Sequence, residues 1–418
     1  MKQEELFSAA IGIQSPWFIE SIDLNIEKGE LNIEVNFPKG SEFEYIDKET
    51  GEIESYKAYD TQIKTWRHMN FFQYHCFLNA RVPRVKTKSG KVKQINPPWA
   101  GKSSGFTLLF EAFILQLARQ MTVHQVCESI GTYDSKVWNM LKFYTSEYLK
   151  TVDYSKVEEI GLDETSSKKY HNYVTLFVDL KERKTIFVTE GKSKETVAEF
   201  VENLEEHKGN KEHIKSVSSD MSPAFIAGIE EYLPEAEIVF DKFHISQKLN
   251  EAVDKVRRRE VKTNPLLIKS RYVFLKNQEN FTQKERLKYE EISLSKLNLQ
   301  TFRAMQIREA FQQIYASLTT LDFESLLKKW YFWATHSRIG EIIKVAKTIK
   351  SHWNGIVSWA EKRISNGILE GFNSLFKAAK AKARGYKRID TIITIIYLLT
   401  GKMDFSQINP HSTTHSLL

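Results

Sequence analysis

Two short apolar runs constrain this chain more than any other feature, because each delivers an aspartate at what reads as the carboxyl end of a strand. Val157 to Leu162 has strand character and is followed by Asp163. Ile214 to Ser218 does the same before Asp220. In an open α/β sheet the parallel strands end at a common edge, and ligands are taken there. Two strands of this kind can bring two carboxylates to one edge of one sheet.

The segments around them give the order of the sheet. Tyr173 to Leu180 is rich in β-formers, Lys181-Glu182-Arg183-Lys184 turns, and Thr185 to Thr189 returns as its hairpin partner. Ser193 reads as the cap of an amphipathic helix through Leu204, and Ser222-Pro223 as the N-cap and first residue of a helix to Tyr232. Ile238 to Phe240 is a further strand, and a long helix then ends in Arg257-Arg258-Arg259. The order βββαβαβα is that of an α/β ribonuclease H-like core with a mixed five-stranded sheet, whose first and fourth strands lie side by side and parallel. Asp163 and Asp220 then become neighbours. Strand alternation turns Glu164 to the opposite side, as a bystander. Asp241 and His244 form an Asp-x-x-His pair after the last strand, placed either to position a substrate phosphate or relay a proton, or to cap a helix and pack.

Upstream, residues from about 17 to 100 read as short strands joined by turns at Glu27 to Glu30, Asp47 to Glu52 and Lys86 to Lys91. The basic run Arg81 to Lys86 suits a phosphate backbone, or equally a solvated edge strand. Phe106 to Arg119 is helical, Thr122 caps Val123 to Ile130, Gly131 breaks it, and Asp134 caps a third helix from Ser135 towards Leu149. This is a helix-turn-helix pattern in which Ser135, Lys136 and Asn139 open the recognition helix, although such units also serve as plain packing modules. Residues 246–360 show helical periodicity alone; Trp330, Trp333, Trp353 and Trp359 read as core, with stacking on an unpaired base as the sharper alternative. The run Ser365 to Asn373 contains Glu370 and continues into Lys377, Lys380, Lys382, Arg384, Lys387 and Arg388, placed to hold phosphates near an active site or to form a solvated face. Ile389 to Leu399 should pack back on the core, and the tail from about Asp404 reads as loose.

A chain of 418 residues is too long for one compact core. A net charge of +7 and a pI near 9.0 suit a polyanionic partner. Two cysteines, Cys76 and Cys127, exclude a disulfide scaffold or a four-thiolate zinc site. The N-terminus has no secretory signal, and the longest apolar run, ending at Leu399, falls far short of the roughly 20 residues that span a bilayer. A soluble, cytoplasmic, nucleoid-associated protein with no membrane partner is expected.

Cutting or joining DNA requires in-line attack at phosphorus, and a pair of Mg2+ (or Mn2+) ions held by carboxylates stabilises the charge that builds on the attacking and leaving oxygens. Asp163 and Asp220 would hold and share two such ions, and Glu370 would complete the second site from a later helix. Taken with Gly161-Leu162-Asp163-Glu164, Ser219-Asp220-Met221-Ser222, Asp241-Lys242-Phe243-His244, Asn366 to Asn373 and Trp66-Arg67-His68, the chain resembles the ISL-three family of insertion-sequence transposases in the DDE superfamily. The resemblance covers nearly the whole chain. It implies an Asp163, Asp220, Glu370 triad, an N-terminal zinc-binding module, a helix-turn-helix, and a helical insertion between the second Asp and the Glu. The family's zinc module uses cysteine pairs, and the corresponding turns near Thr50-Gly51 and Ser89-Gly90 carry none, which argues against structural zinc and leaves DNA contact by this module open.

The expected organisation is an N-terminal β module over 1–100, a helix-turn-helix over 105–152, a first core segment over 153–245, an all-α insertion over 246–360, a second core segment over 361–405 and a tail over 406–418. The expected activity is that of a DNA transposase. It binds terminal inverted repeats in double-stranded DNA, cleaves and transfers strands, and acts as a homodimer or larger assembly on element ends and target. The rivals are a nuclease or resolvase of the same fold without strand transfer, and a non-catalytic DNA-binding protein.

Overall fold

The computed structural model describes residues 3–46, 51–101, 104–168, 172–294, 298–364 and 367–413. Residues 47–50 of the second expected turn, Ser365 and Asn366 of the Glu370 motif, and residues 414–418 lie outside them. The chain forms two compact units, Met1–Val152 with Phe376–Leu418, and Asp153–Leu375.

The first unit opens with α1 (Gln3–Ile11), followed by β1 (Phe18–Asn25), β2 (Glu30–Asn36), β3 (Glu42–Ile46), β4 (Ile53–Lys57), β5 (Asp60–Phe71), β6 (Tyr74–Lys86) and β7 (Val92–Gln94). The main sheet has the order β1-β2-β6-β5 with β7 also on β6, and β3 pairs β4 separately. The basic run is therefore on a central strand. Val82 and Val85 are buried between its cations, Arg81 lies over the Phe37 ring, and Arg84 is paired with Asp60. Trp17, Phe37, Phe43 and Trp99 pack edge to face or tilted beneath the sheet, which gives a small β layer an aromatic core.

Three helices follow, α2 (Leu108–Gln120), α3 (Val123–Ile130) and α4 (Asp134–Leu149). Thr122 and Gln125 form a reciprocal capping box, and Gly131, at φ 67°, ends α3 in the left-handed conformation that a Cβ disfavours. Asp134 is the first residue of α4 and not its cap; Tyr133 holds that place.

The second unit contains β8 (Glu159–Lys168), β9 (Asn172–Asp179), β10 (Lys184–Glu190), α5 (Glu195–Glu206), β11 (Ser216–Ser219), α6 (Pro223–Tyr232), β12 (Glu237–Phe240) and α7 (Lys242–Glu260). The sheet order is β10-β9-β8-β11-β12, in which β9 alone runs antiparallel to its neighbours β8 and β10 while β8, β11 and β12 pair in parallel, a mixed sheet consistent with ribonuclease H-like architecture. The cap of α5 is Lys194, one residue beyond the expected Ser193, whereas Ser222 and Pro223 stand at the N-cap and N1 of α6. Beyond α7 come α8 (Arg271–Leu275), α9 (Gln283–Leu294), α10 (Gln300–Ile314), α11 (Thr320–Thr335), α12 (Gly340–Ser351) and α13 (Trp353–Lys362). Trp330 and Trp359 are core here, and the Trp330 indole donates to the Ile307 carbonyl at 2.7 Å; Trp333 is exposed and Trp353 half-buried.

The chain ends with α14 (Gly367–Lys382) and α15 (Ile389–Thr400). The apolar Ile389 to Leu399 stretch, expected to join the α/β core, belongs to the first unit, where it packs against α4. The tail beyond it is latched: Asn409, fully buried, donates to the Leu108 carbonyl at 2.7 Å and to the Tyr144 hydroxyl at 3.0 Å, and Arg119 donates to the Met403 carbonyl at 2.6 Å.

Candidate active site

Register brings the first two aspartates together. β11 runs parallel to β8 with Ser216 opposite Glu159 and Ser218 opposite Gly161. Continuing that register by two residues sets Asp220 level with Asp163, on strands about 4.8 Å apart. β8 does not end at Asp163, however. It continues to Lys168 against β9, with Asp163 opposite Leu176. The β-branched and aromatic residues Thr165, Tyr173, Val174 and Thr175 favour this longer hairpin.

Burial pushes the Asp163 carboxyl up to about 6; the His244 imidazole opposes the shift, while the Glu164 and Asp220 carboxylates add to it. Glu164, expected as a bystander, is half-buried, and burial and then the charge of Asp220 raise its carboxyl too. One Asp163 oxygen accepts the Glu164 backbone N–H at 2.8 Å, and the other accepts the Asn373 amide at 2.6 Å. Asp220 Oδ1 accepts the Ser222 N–H at 2.9 Å, a turn that fixes the start of α6. Asp241 is the N-cap of α7, accepting from Phe243 N–H at 3.2 Å. His244, on the first turn of α7, is half-buried and within electrostatic reach of Asp163 and Glu164.

Glu370 is exposed on α14, and the group that reaches Asp163 from this helix is Asn373, one turn later. Leu369, Asn373 and Phe376 are all buried, so Asn373 stands in the core stripe of the helix with its Oδ1 unpartnered. A polar amide at an i, i+4, i+7 core position was the sequence signal for it. The helix can come this close because Gly161 has no side chain: a Cβ there would stand 2.7 Å from Leu369 Cδ1.

The expected pair of Mg2+ (or Mn2+) ions is corrected by this geometry. Among the described residues, no group of three or more His, Cys, Asp or Glu side chains is arranged to hold a metal ion. Each Asp163 oxygen already accepts one internal hydrogen bond, and Glu370 is turned to solvent. For zinc, Cys76 and Cys127 are free and buried, with thiols pushed up to about 12 by burial.

The expected DNA-contact residues fall in several settings. Ser135 and Asn139 are exposed on one side of α4, while Lys136 Nζ lies 4.7 Å from the centre of the Phe106 ring. Lys377, Lys380 and Lys382 follow along α14, with Lys382 Nζ 3.5 Å from the Gln120 carbonyl. Arg384 is exposed at a φ of 56°, Lys387 is exposed, and Arg388 caps α15 while paired with Asp390. No helix among the described residues is long and apolar enough to cross a membrane.

Comparison with known proteins is consistent across the chain. Residues 160–396 match a DDE family of ISL3 type described as a transposase, and residues 95–145 match the helix-turn-helix domain of transposase family ISL3. The transposase for insertion sequence element IS1001 of Bordetella parapertussis is 26% identical, over 79% of this chain and 83% of that protein. The transposase for insertion sequence element IS1557 of Mycobacterium tuberculosis, from strains CDC 1551 / Oshkosh and H37Rv, is 24% identical over 95% of this chain and 96% of its own length. With the family match covering more than half of its length, the chain belongs to the ISL3 family of DDE transposases, a DNA-binding enzyme family.

Proposed function

We propose that this transposase binds the terminal inverted repeats of an insertion sequence, cleaves the strand at the element's end and joins the freed 3′-hydroxyl to a target phosphodiester. In this reading the α/β unit is a ribonuclease H-like core, Asp163, Asp220 and Glu370 are its catalytic carboxylates, and Asp241 and His244 are accessory. Two ends must be brought together, so the working form is a homodimer or larger assembly on cytoplasmic DNA. The observation that carries the reading is the parallel register of β8 and β11, which, continued by two residues, sets Asp220 level with Asp163 where β11 ends.

The chemistry attributed to the chain's own groups is limited. The Asp163 carboxyl, pushed up to about 6, is suited to exchange a proton with an attacking water or 3′-hydroxyl near neutral pH. Asn373 fixes its orientation, and His244 brings a hydrogen-bonding imidazole towards a substrate phosphate. Replacing Asp163 by Asn should abolish joined products, when protein is incubated with end DNA and a target plasmid, and leave end binding intact. Joined products surviving in Asp163→Asn would overturn the residue assignment; nicks without joining by the unaltered protein would favour a nuclease.

A further inference from the structure

We propose that the cleft between α4 and segment 383–391 is a binding site for one backbone strand of duplex DNA, in which Lys387 and the exposed side of α4 meet neighbouring phosphodiesters. The proposal rests on the DNA-binding reading above and adds to it residues from beyond the third acidic position.

The cleft has a volume of about 450 Å³ and lies within the first unit. Ser135, Trp138, Asn139 and Lys142 form one wall, at the i, i+3, i+4 and i+7 positions that share one side of a helix. Tyr386, Lys387 and Arg388 form the other. The walls are held at a fixed separation. Asp390 bridges them, 2.8 Å from Lys142 Nζ and 2.7 Å from Arg388 Nη2, and the Tyr386 ring meets Trp138 edge to face at 6.1 Å. Arg388 and then Lys142 hold the Asp390 carboxyl far below the usual range, as a standing anion between them.

That bridge decides which cation is free. With Lys142 and Arg388 both committed to Asp390, Lys387 is exposed in the cleft and makes no ion pair with any described residue. The first turns of α4 and α15 border the same space; in α15 the Thr391 N–H is taken by Asp390 Oδ1 at 2.7 Å, whereas the N-cap of α4, Tyr133, makes no side-chain capping bond, so the uncapped first turn is that of α4. First-turn N–H groups of this kind favour phosphate oxygens. Asp134 and Asp390 offset much of the positive charge, so a singly charged diester suits the cleft better than a doubly charged monoester. Trp138 and Tyr386 add an apolar shoulder against which a deoxyribose can pack. Duplex DNA is favoured over a free nucleotide because Ser135 and Asn139, exposed on the same side of α4, stand where a recognition helix opens towards base edges.

The test measures anisotropy of a fluorescent duplex carrying the element end, with the full chain, between 50 and 200 mM salt. Lys387→Ala should reduce the slope of log K against log salt by about 0.9 and weaken binding roughly tenfold at 0.1 M, as loss of one phosphate contact requires. Lys387→Arg should restore both. In a scan of neutral methylphosphonates, the linkage at which Lys387→Ala ceases to matter should lie within about two nucleotides of the base pair at which Asn139→Ala relaxes sequence preference. An unchanged salt slope in Lys387→Ala, or a mapped linkage far from the Asn139 base pair, would overturn the shared cleft while leaving end binding in place. Failure of the unaltered chain to bind the duplex at all would overturn both this proposal and the function it rests on.

Discussion

Adding one methyl group at Gly161 tests whether the approach of α14 to β8 builds the candidate site. A Cβ at this position would stand 2.7 Å from Leu369 Cδ1 and 2.9 Å from Leu180 Cδ2. Optimal carbon–carbon separation is about 3.5–4.0 Å, so the neighbours must retreat by roughly 0.7 Å or more. Leu180 is half-buried and can yield, whereas Leu369 is 1% exposed and is carried by the helix itself. Overpacking of this kind costs about 1–3 kcal/mol, and loss of glycine's freedom in the unfolded chain offsets about 0.4–1 kcal/mol. A net loss near 1 kcal/mol follows, or about 2–4 °C in Tm for a unit of this size. Activity should fall by more than stability. Asn373, one turn from Leu369, holds Asp163 at 2.6 Å, and a shift of that size stretches the bond to about 3.3 Å, at the weak end of the hydrogen-bond range. The assay pairs denaturant unfolding with strand-transfer gels for Gly161→Ala, Leu369→Ala and the double variant. Leu369→Ala alone leaves a cavity costing about 2–5 kcal/mol, which the new methyl partly fills in the double variant, so the two changes should couple favourably by more than about 0.5 kcal/mol. Additive stabilities, or wild-type strand transfer in Gly161→Ala, would refute the argument.

Two further outcomes concern the first unit. Burial, aided by the nearby charge of His411, lowers the His68 imidazole to about 4, and its Nδ1 lies 2.7 Å from Thr107 Oγ1. The unfolded chain takes up a proton below about 6.5 that the folded chain refuses, so this contribution is complete above pH 6.5 and lost as pH falls towards 4, by up to about 3 kcal/mol. Comparing urea midpoints at pH 7 and pH 5 should show a smaller acid loss in His68→Gln; an equal loss would contradict the assignment. Asn409→Ala removes two buried hydrogen bonds and should cost about 1–3 kcal/mol. Unchanged thermal unfolding in that variant would show that the tail does not brace α2 and α4.

What could be read from the sequence was whatever short-range chemistry decides. Apolar runs with turn residues between them gave the order of the core, Thr122 and Gly131 bounded α3, and Ser222 with Pro223 opened α6. The neighbourhood of Asp163 and Asp220 was legible from the whole order of elements, since three strands, a helix and a fourth strand is the order in which the first and fourth strands lie parallel and adjacent. Side-chain direction at the site was not legible. Glu164 reads as pointing away, yet it is half-buried and feels the charge of Asp220, because alternation assigns a face and not the depth of the layer above it. Glu370 is the acidic residue that a triad needs, yet the helix turns Asn373 inward, and that choice depends on the space left by Gly161 on a strand about 200 residues earlier.

The same limit governs the basic segment after Glu370. As a string, Lys377 to Arg388 is one cationic run belonging to one surface. In the fold its members have separate fates, set by partners that no local pattern announces: Asp390 takes Arg388, Lys382 reaches a carbonyl of α2, and Lys387 is left exposed beside the recognition helix. Charge count alone therefore overstates how much of such a run is available to DNA. A cation already bridged to a carboxylate must give up that pair before it gains a phosphate, so the exchange yields little net affinity. Among Lys142, Lys387 and Arg388, which border the α4 cleft, Lys387 is the one whose removal should be felt in the salt dependence.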